Sequence, residues 1–404
     1  MSRDVTPPSQ DRRFERALVL VGIVVLAFNL RPAAVSVGPI LDELSAGLGM
    51  RGWETSLLTS LPVLSFATVG ALAPRIARLA GVHRATLLAL LLVTGGLLAR
   101  AHVGSPAAFL VLSFLALAGM AVANVLLPSL VKLHFPDQVG LLTAVYSTGL
   151  AIGLTSASVL TVPFSDRGSG PLDWRHGLVV WAFTAAVAAV PWIALVRHDR
   201  KAERTTSPIT TSAVGRTRIG LLMALAFGLQ SLQAYSIFGW LAQVFRDAGY
   251  SAHDAGLLLG VTTAISIPLS FVIPAQTARV KDQRVLLTAI MVFYPIGYLG
   301  LITADDHVPW LWAATLGIGT CTFPFILTLI GLRARTPAGT AALSGFTQSV
   351  GYLIAVAGPF GVGALHDATN GWTVPLLVLL GLAVPQYLVG LLIARPAYVE
   401  DELA

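Results

Sequence analysis

The sequence predicts an all-α membrane protein with about twelve transmembrane helices in two pseudo-symmetric six-helix bundles. Three observations predict this fold: the composition, the spacing of long apolar runs, and a repeat of the first half in the second. Hydrophobic residues make up 55% of the 404 residues and charged residues only 11%, less than half of their usual share in soluble domains. A soluble fold of this composition would expose large apolar patches, whereas a bilayer covers them with lipid.

Twelve apolar runs are long enough to cross the hydrocarbon core of a bilayer, which takes about 20 helical residues. The first run is too long for the apolar part of a cleaved signal peptide, and no clear cleavage site follows it. It is therefore predicted to be the first membrane helix. The predicted helices cover residues 17–41, 55–73, 85–101, 107–131, 140–162, 175–196, 219–244, 254–274, 285–303, 308–332, 340–365 and 373–394.

The basic residues predict the orientation, because Lys and Arg collect on the cytoplasmic side of membrane proteins. With a cytoplasmic N-terminus, 20 of the 26 Lys and Arg residues lie inside, five lie outside, and one, Arg31, lies within helix 1. We therefore expect a multi-pass protein of the bacterial inner membrane with both termini in the cytoplasm. The expected regions are an N-terminal tail (1–16), a first bundle (17–196), a cytoplasmic linker (197–218), a second bundle (219–394) and a C-terminal tail (395–404).

Several classes of function are disfavoured by what the chain contains. The net charge of +6 does not indicate nucleic-acid binding, because the basic residues are scattered between apolar runs. Cys321 is the single cysteine, which excludes a disulfide framework and a Cys-based metal site. No phosphate-binding Gly-rich loop ending in Lys-Ser/Thr is present, and no His and acid residues cluster within the spans. We expect no enzymatic activity, no cofactor and no metal.

Residues 49–84 of the first half align with residues 249–284 of the second half without a gap, at an offset of 200 residues. The alignment brings together a helix start, a helix end and the basic loop that follows, which chance leucine matches would not do. Six helices, a basic linker and six more helices in parallel resemble the layout of the major facilitator superfamily. The matched pairs include Gly49 with Gly249, Glu54 with Asp254, Pro74 with Pro274, and Arg84 with Arg284.

Six segments narrow the resemblance to one family of that superfamily. In chain order they read FNLRPAAVSVGP, NVLLPSLVKLHFP, GLLTAVYSTGLAIG, FGLQSLQAYSIFGWL, FPFILTLIGLRAR and LSGFTQSVGYLIAVAGP. Together they resemble the cyanate/2-nitroimidazole transporter family, whose cargoes are small and planar. The resemblance implies alternating-access secondary transport of a small polar or anionic solute, with import and export both open.

Other readings of the same layout are a multidrug-type efflux carrier, a channel and a membrane sensor that does not transport. Two halves around a single buried charge fit a carrier better than a pore lined by repeated rings of charge. The short connections leave no room for a soluble domain, which weighs against a sensor. The expected partners are a small-molecule substrate and the lipid bilayer, without nucleic acid, and the protein is expected to act as a monomer.

Arg31 is the first candidate for a substrate contact, because a charge near the bilayer centre costs roughly 2.5–3.5 kcal/mol on insertion scales. Its planar guanidinium can hold an anion through two hydrogen bonds. The alternative is a structural arginine that neighbouring helix-end carbonyls satisfy. Pro32 lacks an N–H, so the Phe28 carbonyl loses its helical partner, and helix 1 is expected to loosen beside Arg31.

Further polar residues are candidates for lining a central binding cavity. Gln230 and Gln233 on helix 7 are three residues apart and share a face. Buried amides need partners, so the two glutamines either meet water and substrate or join helices. On helix 11, Ser344, Gln348 and Tyr352 form one polar stripe. The remaining candidates for substrate contact are Asn29, Asn124, Tyr146 and Tyr235.

The ends of the helices carry a second set of candidates. Lys132 and Arg333 are predicted either to line the inner mouth of the cavity or to extend toward the lipid headgroups. Trp240 is predicted to belong to the interfacial aromatic belt. Every Asp and Glu falls at an end of a predicted span or in a connection, which disfavours a carboxylate proton relay at the bilayer midplane. Proton coupling is left to residues near the outer face, namely Glu54, His366 and Asp367.

Overall fold

The computed structural model describes residues 10–166, 172–196, 210–303 and 308–403. These residues form helices and turns, with no strand among them. Within this part of the chain, twelve helices are long and apolar enough to cross a membrane. The predicted all-α fold with about twelve spans is therefore confirmed. The predictions for residues 1–9, 197–209 and 404 lie outside the described residues.

Both described chain ends, Gln10 and Leu403, lie at one end of the bundle because the number of crossings is even. We call this the near end and the opposite one the far end. In the first half, α1 comprises Gln10–Asn29, Pro32–Val35, Gly38–Ile40 and Leu41–Leu48, α2 comprises Gly52–Thr68, Gly70–Leu72 and Ala73–Ala80, and α3 to α6 are Val82–Arg100, Pro106–His134, Val139–Ser165 and Trp174–Leu195. In the second half, α7 is Arg218–Asp247, α8 comprises Ala252–Ala264 and Ser266–Arg279, α9 comprises Arg284–Met291 and Phe293–Thr303, α10 comprises Pro309–Thr320 and Thr322–Leu332, α11 comprises Pro337–Ala355 and Ala357–Thr369, and α12 is Thr373–Ile393.

The turns after α1 and α7 share a backbone feature. Gly49 has φ of +65° and Gly249 has φ of +98°, a left-handed region that glycine adopts without steric strain. Glu54 and Asp254 then stand in the first turns of α2 and α8, where a carboxylate stabilises the positive end of the helix dipole. The equivalence of the two halves predicted at these positions is therefore present in the backbone.

The outer faces of the helices are apolar, as contact with lipid requires. On α6, the side chains of Phe183, Val187 and Val190 are each more than half exposed, and their spacing places them on one face. In water this face would promote aggregation, whereas in a bilayer it meets acyl chains at no cost. The interior is filled by large side chains such as Trp181, Trp192, Phe227 and Tyr298.

The two halves approach each other most closely in their far-end parts, through glycines. A Cβ on Gly38 of α1 would lie 3.2 Å from the carbonyl oxygen of Phe238 on α7. One on Gly256 of α8 would lie 2.8 Å from the carbonyl oxygen of Ser158 on α5. One on Gly363 of α11 would overlap the Ser56 hydroxyl on α2. The helices of the two halves therefore pack backbone to backbone, and the far end is closed.

The segment after α12 folds back onto the near end of the second half. Glu400, in the turn Val399–Glu402, accepts hydrogen bonds from the backbone N–H groups of Arg335 and Thr336, at 3.0 Å from each nitrogen. Glu402 accepts one from the N–H of Ile219, at 3.1 Å. These acids therefore satisfy backbone donors at the starts of α11 and α7.

Candidate functional site

The site is built around a break in α1. The first helical segment ends at Asn29, and the next begins at Pro32, so Leu30 and Arg31 form a turn between two helical pieces. The N–H groups of Ala34 and Val35 donate to the carbonyl of Arg31, at 3.0 and 3.2 Å. The loosening predicted beside Pro32 is thus a full interruption of the helix, and the Arg31 side chain leaves from it.

The helix α5 packs directly against this break. A Cβ on Gly153 would overlap the carbonyl oxygen of Phe28, the group whose helical partner Pro32 removes. One turn away, a Cβ on Gly149 would lie 3.2 Å from the Cβ of Ala27. Gly149 and Gly153 therefore let α5 approach α1 closely beside the break, within the first half.

Arg31 meets the second half of the protein at Tyr235. Its Nη1 donates to the Tyr235 hydroxyl at 3.4 Å, and the Tyr235 ring packs edge-on against the ring of Tyr352, with 6.4 Å between centroids. Among the described residues, no carboxylate forms an ion pair with Arg31. The structure therefore brings together three predicted candidates from α1, α7 and α11 around a guanidinium without a counter-ion in the described part of the chain.

Aromatic rings form a wall beside this guanidinium. The Tyr352 ring stacks on Phe66 of α2, with 4.9 Å between centroids and 18° between planes. It also meets Phe227 of α7 edge-on at 5.0 Å. A cation and a phenol hydroxyl next to flat apolar faces can hold a small planar group by its edge and by its face.

Most of the other candidates for the cavity are half-buried. This holds for Asn124 on α4, Tyr146 on α5 and Gln348 on α11, as it does for Arg31 and Tyr235. Gln348 Nε2 donates along its helix to the Ser344 hydroxyl at 2.8 Å, as the predicted polar stripe requires. These side chains keep part of their surface accessible, unlike residues packed between helices.

Toward the far end the passage is sealed. The cavity next to Tyr235 on that side has a volume of only about 20 Å³, room for about one water. Its walls come from α1, α2 and α7 and include Ala34, Gly38 and Thr59. A solute bound at Arg31 therefore has no path to the far end in this conformation.

The two glutamines of α7, which the sequence placed either on the cavity surface or between helices, are buried between helices in this conformation. Gln230 and Gln233 are fully buried. Their Nε2 atoms donate to the carbonyls of Thr320 on α10 and Leu379 on α12, at 2.8 and 2.7 Å. Tyr298 of α9 donates its hydroxyl proton to Gln233 Oε1 at 2.5 Å. Of the two roles left open by the sequence, these contacts favour the joining of helices.

Asn29 and Tyr352 are also buried, for different reasons. Asn29 is 4% exposed, and its Nδ2 donates back to the Val25 carbonyl of its own helix at 2.8 Å. This hydrogen bond holds the Asn29 amide against its own helix. Tyr352 is equally buried, but its ring packs edge-on against Tyr235, the residue that Arg31 contacts.

Arg333 does not line a cavity mouth, and it does not extend to the headgroups either. It is 3% exposed, its Nε donates to the carbonyl of Ile393 at 2.9 Å, and its Nη2 donates to Gln283 Oε1 at 2.7 Å. Burial lowers the pKa of Arg333. It ties the ends of α10 and α12 to the turn before α9. Lys132, in the last turn of α4, is exposed at the near end.

Trp240 is not an interfacial belt residue. It is 6% exposed, and its Nε1 donates to the carbonyl of Pro359 at 2.8 Å, so that it joins α7 to α11. A hydropathy pattern places a tryptophan near a membrane surface, but it does not show which side of the helix faces lipid.

A further buried arginine, Arg100, was not predicted from the sequence to lie inside the bundle. Arg100 was counted among the five basic residues outside the membrane, although it falls at the end of the predicted helix 85–101; it lies in the last turn of α3 with no exposed surface. Its Nη1 and Nη2 both lie 3.4 Å from the carbonyl oxygen of Ala33, and Nη1 lies 3.4 Å from the Ser113 hydroxyl. Arg31 is therefore not alone inside the bundle. The available signal was that Arg100 falls within the last residues of the predicted helix 85–101.

The far-end closure contains an ion-pair cluster that was also missed. Arg246, at the end of α7, binds Glu43 through Nη1 at 2.7 Å and Asp42 through Nε at 3.2 Å. Both acids belong to the last segment of α1, beyond the end predicted for helix 1. The cluster therefore links the two halves of the protein across the closed end.

The acids and the histidine considered for proton coupling lie around this closure. The neighbour of Arg246, Asp247, accepts hydrogen bonds from Trp372 Nε1 and Gln243 Nε2, at 2.7 and 2.8 Å. His366 Nε2 lies 3.5 Å from the same carboxylate. Glu54 instead accepts a hydrogen bond from the N–H of Arg51 at 2.8 Å, which is a helix-capping role.

Comparison with known proteins finds a consistent set of relatives. A sequence profile of the Major Facilitator Superfamily matches residues 19–359. The chain is 34% identical over 395 residues to the uncharacterized transporter YycB of Bacillus subtilis (strain 168), covering 97% of each chain. It is 33% identical to the 2-nitroimidazole transporter of Escherichia coli (strain K12), covering 94% of this chain and 96% of that one. It is 28% identical to the cyanate transport protein CynX of the same strain, covering 91% and 95%.

The fold is shared with solved structures of low sequence identity. The crystal structure of the nucleoside transporter NupG superposes with a TM-score of 0.74, at 12% identity, over 94% of this chain and 98% of that one. The D-xylose-proton symporter superposes with a TM-score of 0.68, at 13% identity, over 95% and 96%. At this identity the likeness concerns the arrangement of the helices.

Proposed function

Since the chain belongs to the Major Facilitator Superfamily of transporters, we propose that it carries a small planar anionic or polar solute by alternating access, with Arg31 as the anchor. One observation carries the proposal. Arg31 stands in a helix break of the first half and reaches Tyr235 of the second half, so a solute held there contacts both moving parts of the carrier.

The chemistry of the site suits an anion or a polar edge. The guanidinium offers several N–H donors in one plane, and a charge-assisted hydrogen bond is about twice as strong as a neutral one. The Tyr235 hydroxyl adds a donor within reach of the same point. The stacked rings of Tyr352 and Phe66 offer a flat apolar surface to the rest of the solute. These features favour small planar solutes over bulky ones.

A bound anionic solute also supplies the counter-ion that Arg31 lacks among the described residues. A buried cation is costly in a bilayer unless an anion, water or polar groups surround it. A bound anion lowers that cost and draws Arg31 and Tyr235 together, which favours closure of the near end. After closure, separation of Arg246 from Asp42 and Glu43 opens the far end. Each conformation is thus stabilised by contacts that the other one breaks.

Two relatives support the class of solute. One is named for 2-nitroimidazole and the other for cyanate, and both compounds are small, planar or linear, and carry electron-rich atoms. The distribution of basic residues supports a cytoplasmic near end, so that the sealed far end faces the periplasm.

The proposal is tested by counterflow in proteoliposomes with labelled cyanate and labelled 2-nitroimidazole. Saturable counterflow of either compound is expected for the wild type, and Arg31→Gln is expected to lose it while remaining folded. Arg279→Gln is the matched control, because Arg279 is an exposed arginine near the end of α8. Folded Arg31→Gln protein that transports both compounds as the wild type does would exclude Arg31 as the anchor.

A further inference from the structure

We propose that Arg100 is a positioning residue for the substrate site, and that it holds in place the short segment of α1 from which Arg31 projects. The inference rests on the proposed function, since it concerns the same site. The inference gives a role to the buried charge of Arg100, which takes no part in the proposed contacts with the solute.

The segment Pro32–Val35 is a single helical turn with open ends. The N–H of Ser36 bonds to the Pro32 carbonyl at 3.1 Å, and the helix stops there. The helical partner of the next carbonyl, that of Ala33, would be the N–H of residue 37, which lies beyond the segment. Arg100 supplies the missing donors, since its Nη1 and Nη2 both lie 3.4 Å from the Ala33 oxygen.

Arg100 is itself fixed by α4. Its Nη1 lies 3.4 Å from the hydroxyl of Ser113, and its Cζ lies 5.7 Å from the centroid of the Phe109 ring. Both residues are fully buried. The α1 segment is thereby connected through one guanidinium to α3 and α4, all within the first half. The anchor is held on the frame of one half, while Tyr235 and Tyr352 belong to the other.

The other side of the break is supported in the same half. The backbone at Gly153 lies against the Phe28 carbonyl on one side of Arg31, and Arg100 binds the Ala33 carbonyl on the other. The two carbonyls that flank the anchor therefore both meet neighbouring helices. A turn between two helical pieces has few internal hydrogen bonds, so such external contacts determine where its side chain points.

Full burial of the charged Arg100 side chain costs free energy, which a contact without a structural role would not offset. The side chain has no exposed surface, forms no ion pair with a described carboxylate, and its Nε has no hydrogen-bond partner among the described residues. A neutral donor of similar length would satisfy Ala33 at lower cost. The guanidinium donates to the Ala33 carbonyl through two nitrogens and also contacts Ser113 on α4. Together these contacts fix both the distance and the orientation of the α1 segment relative to α4.

Hydrogen exchange of the α1 segment tests this inference without any solute. Backbone amides in residues 30–40 are compared by mass spectrometry in wild type, Arg100→Gln, Arg100→Lys and Ser113→Ala, all in lipid nanodiscs. Loss of a charge-assisted hydrogen bond is expected to raise exchange in this segment by about tenfold in Arg100→Gln. Arg100→Lys is expected to give a smaller rise, and Ser113→Ala little change, because the contact with Ala33 remains.

Binding of cyanate is measured on the same samples. In Arg100→Gln the affinity is expected to fall in parallel with the local exchange, with partial rescue in Arg100→Lys and unchanged exchange in the second half. Unchanged exchange in residues 30–40 of Arg100→Gln, or an equal rise throughout the first half, would overturn the positioning role. If Arg100→Gln cannot be recovered folded, Arg100→Lys decides, and unchanged exchange there overturns the role. Wild-type protein that binds no cyanate would count against the proposed function, while the exchange result would still decide the role of Arg100.

Discussion

Nη1 of Arg31 lies 3.4 Å from the hydroxyl of Tyr235, and the two residues belong to opposite halves of the protein. The hydrogen bond thus crosses the interface along which the halves of a carrier move. Replacing Tyr235 by Phe keeps the aromatic packing and removes only the hydroxyl.

We therefore expect Tyr235→Phe to lower the affinity for cyanate by about two- to tenfold, the usual range for one hydrogen bond. The fold and the membrane abundance should not change. Binding to purified protein is the measurement. Tyr387→Phe is the matched control, because that hydroxyl bonds to Thr288 at 2.9 Å and lies away from Arg31. Equal loss in the two variants would contradict a specific role for Tyr235.

Gly153→Ala is expected to be far more damaging than Gly149→Ala. The added methyl group at residue 153 would overlap the Phe28 carbonyl, a backbone atom that cannot rotate away, whereas at 149 it meets the Ala27 side chain at 3.2 Å. Overpacking of this kind typically costs about 1–3 kcal/mol. Thermal unfolding of the purified variants measures the difference, and similar unfolding temperatures would show that α1 and α5 separate easily.

Arg246→Gln is expected to open the far end more often. It removes the ion pairs with Asp42 and Glu43 that join the two halves. A cysteine in place of Ala34, in a Cys321→Ser background, should then react faster with a membrane-impermeant thiol reagent added from the far end. Arg175→Gln is the control, because Arg175 lies at the far end but donates to Val103 within the first half. No acceleration in Arg246→Gln would mean that the glycine contacts alone keep the far end closed.

The three amides predicted for the cavity are expected to behave differently. In a Cys321→Ser background, Gln348→Cys should react with a small water-soluble thiol reagent, since residue 348 is half-buried. Gln230→Cys and Gln233→Cys should react at least tenfold more slowly, because full burial requires local opening first. Protection of residue 348 by solute is expected as well. Rapid labelling at 230 or 233 would show that these side chains line the cavity.

Glu400 is expected to make the C-terminal turn pH-dependent. Partial burial raises its pKa, but the backbone hydrogen bonds from Arg335 and Thr336 outweigh this and lower it below the usual value. A lowered folded-state pKa means that the contact contributes stability above the unfolded-state pKa, and that this is lost as pH falls through the folded-state pKa. The protection of residues 396–403, measured as the exchange rate relative to the intrinsic rate at each pH, should therefore decrease in acid. Glu400→Gln should show high exchange with little such pH dependence.

Features that depend on short stretches of chain were readable from the sequence. Apolar runs of about 20 residues predicted the twelve spans, because water and lipid sort residues by polarity alone. Pro32 predicted the weak point in α1, because the lost N–H is a property of that residue. Gly49 and Gly249 marked equivalent turns, and Arg31 was singled out because the bilayer penalises its charge wherever the helix faces.

The partners of each polar side chain were decided only by the tertiary structure. Sequence spacing placed Gln230 and Gln233 on one helix face, but in an apolar helix it does not show which neighbour that face meets. Arg246 pairs with Glu43, which lies 203 residues away, and Arg100 entered the interior because α3 ends beside the break in α1. In a membrane nearly every helix face is apolar, so hydropathy leaves the rotation of each helix undetermined. Close packing of neighbouring helices, and the need to satisfy each buried polar group, determine that rotation.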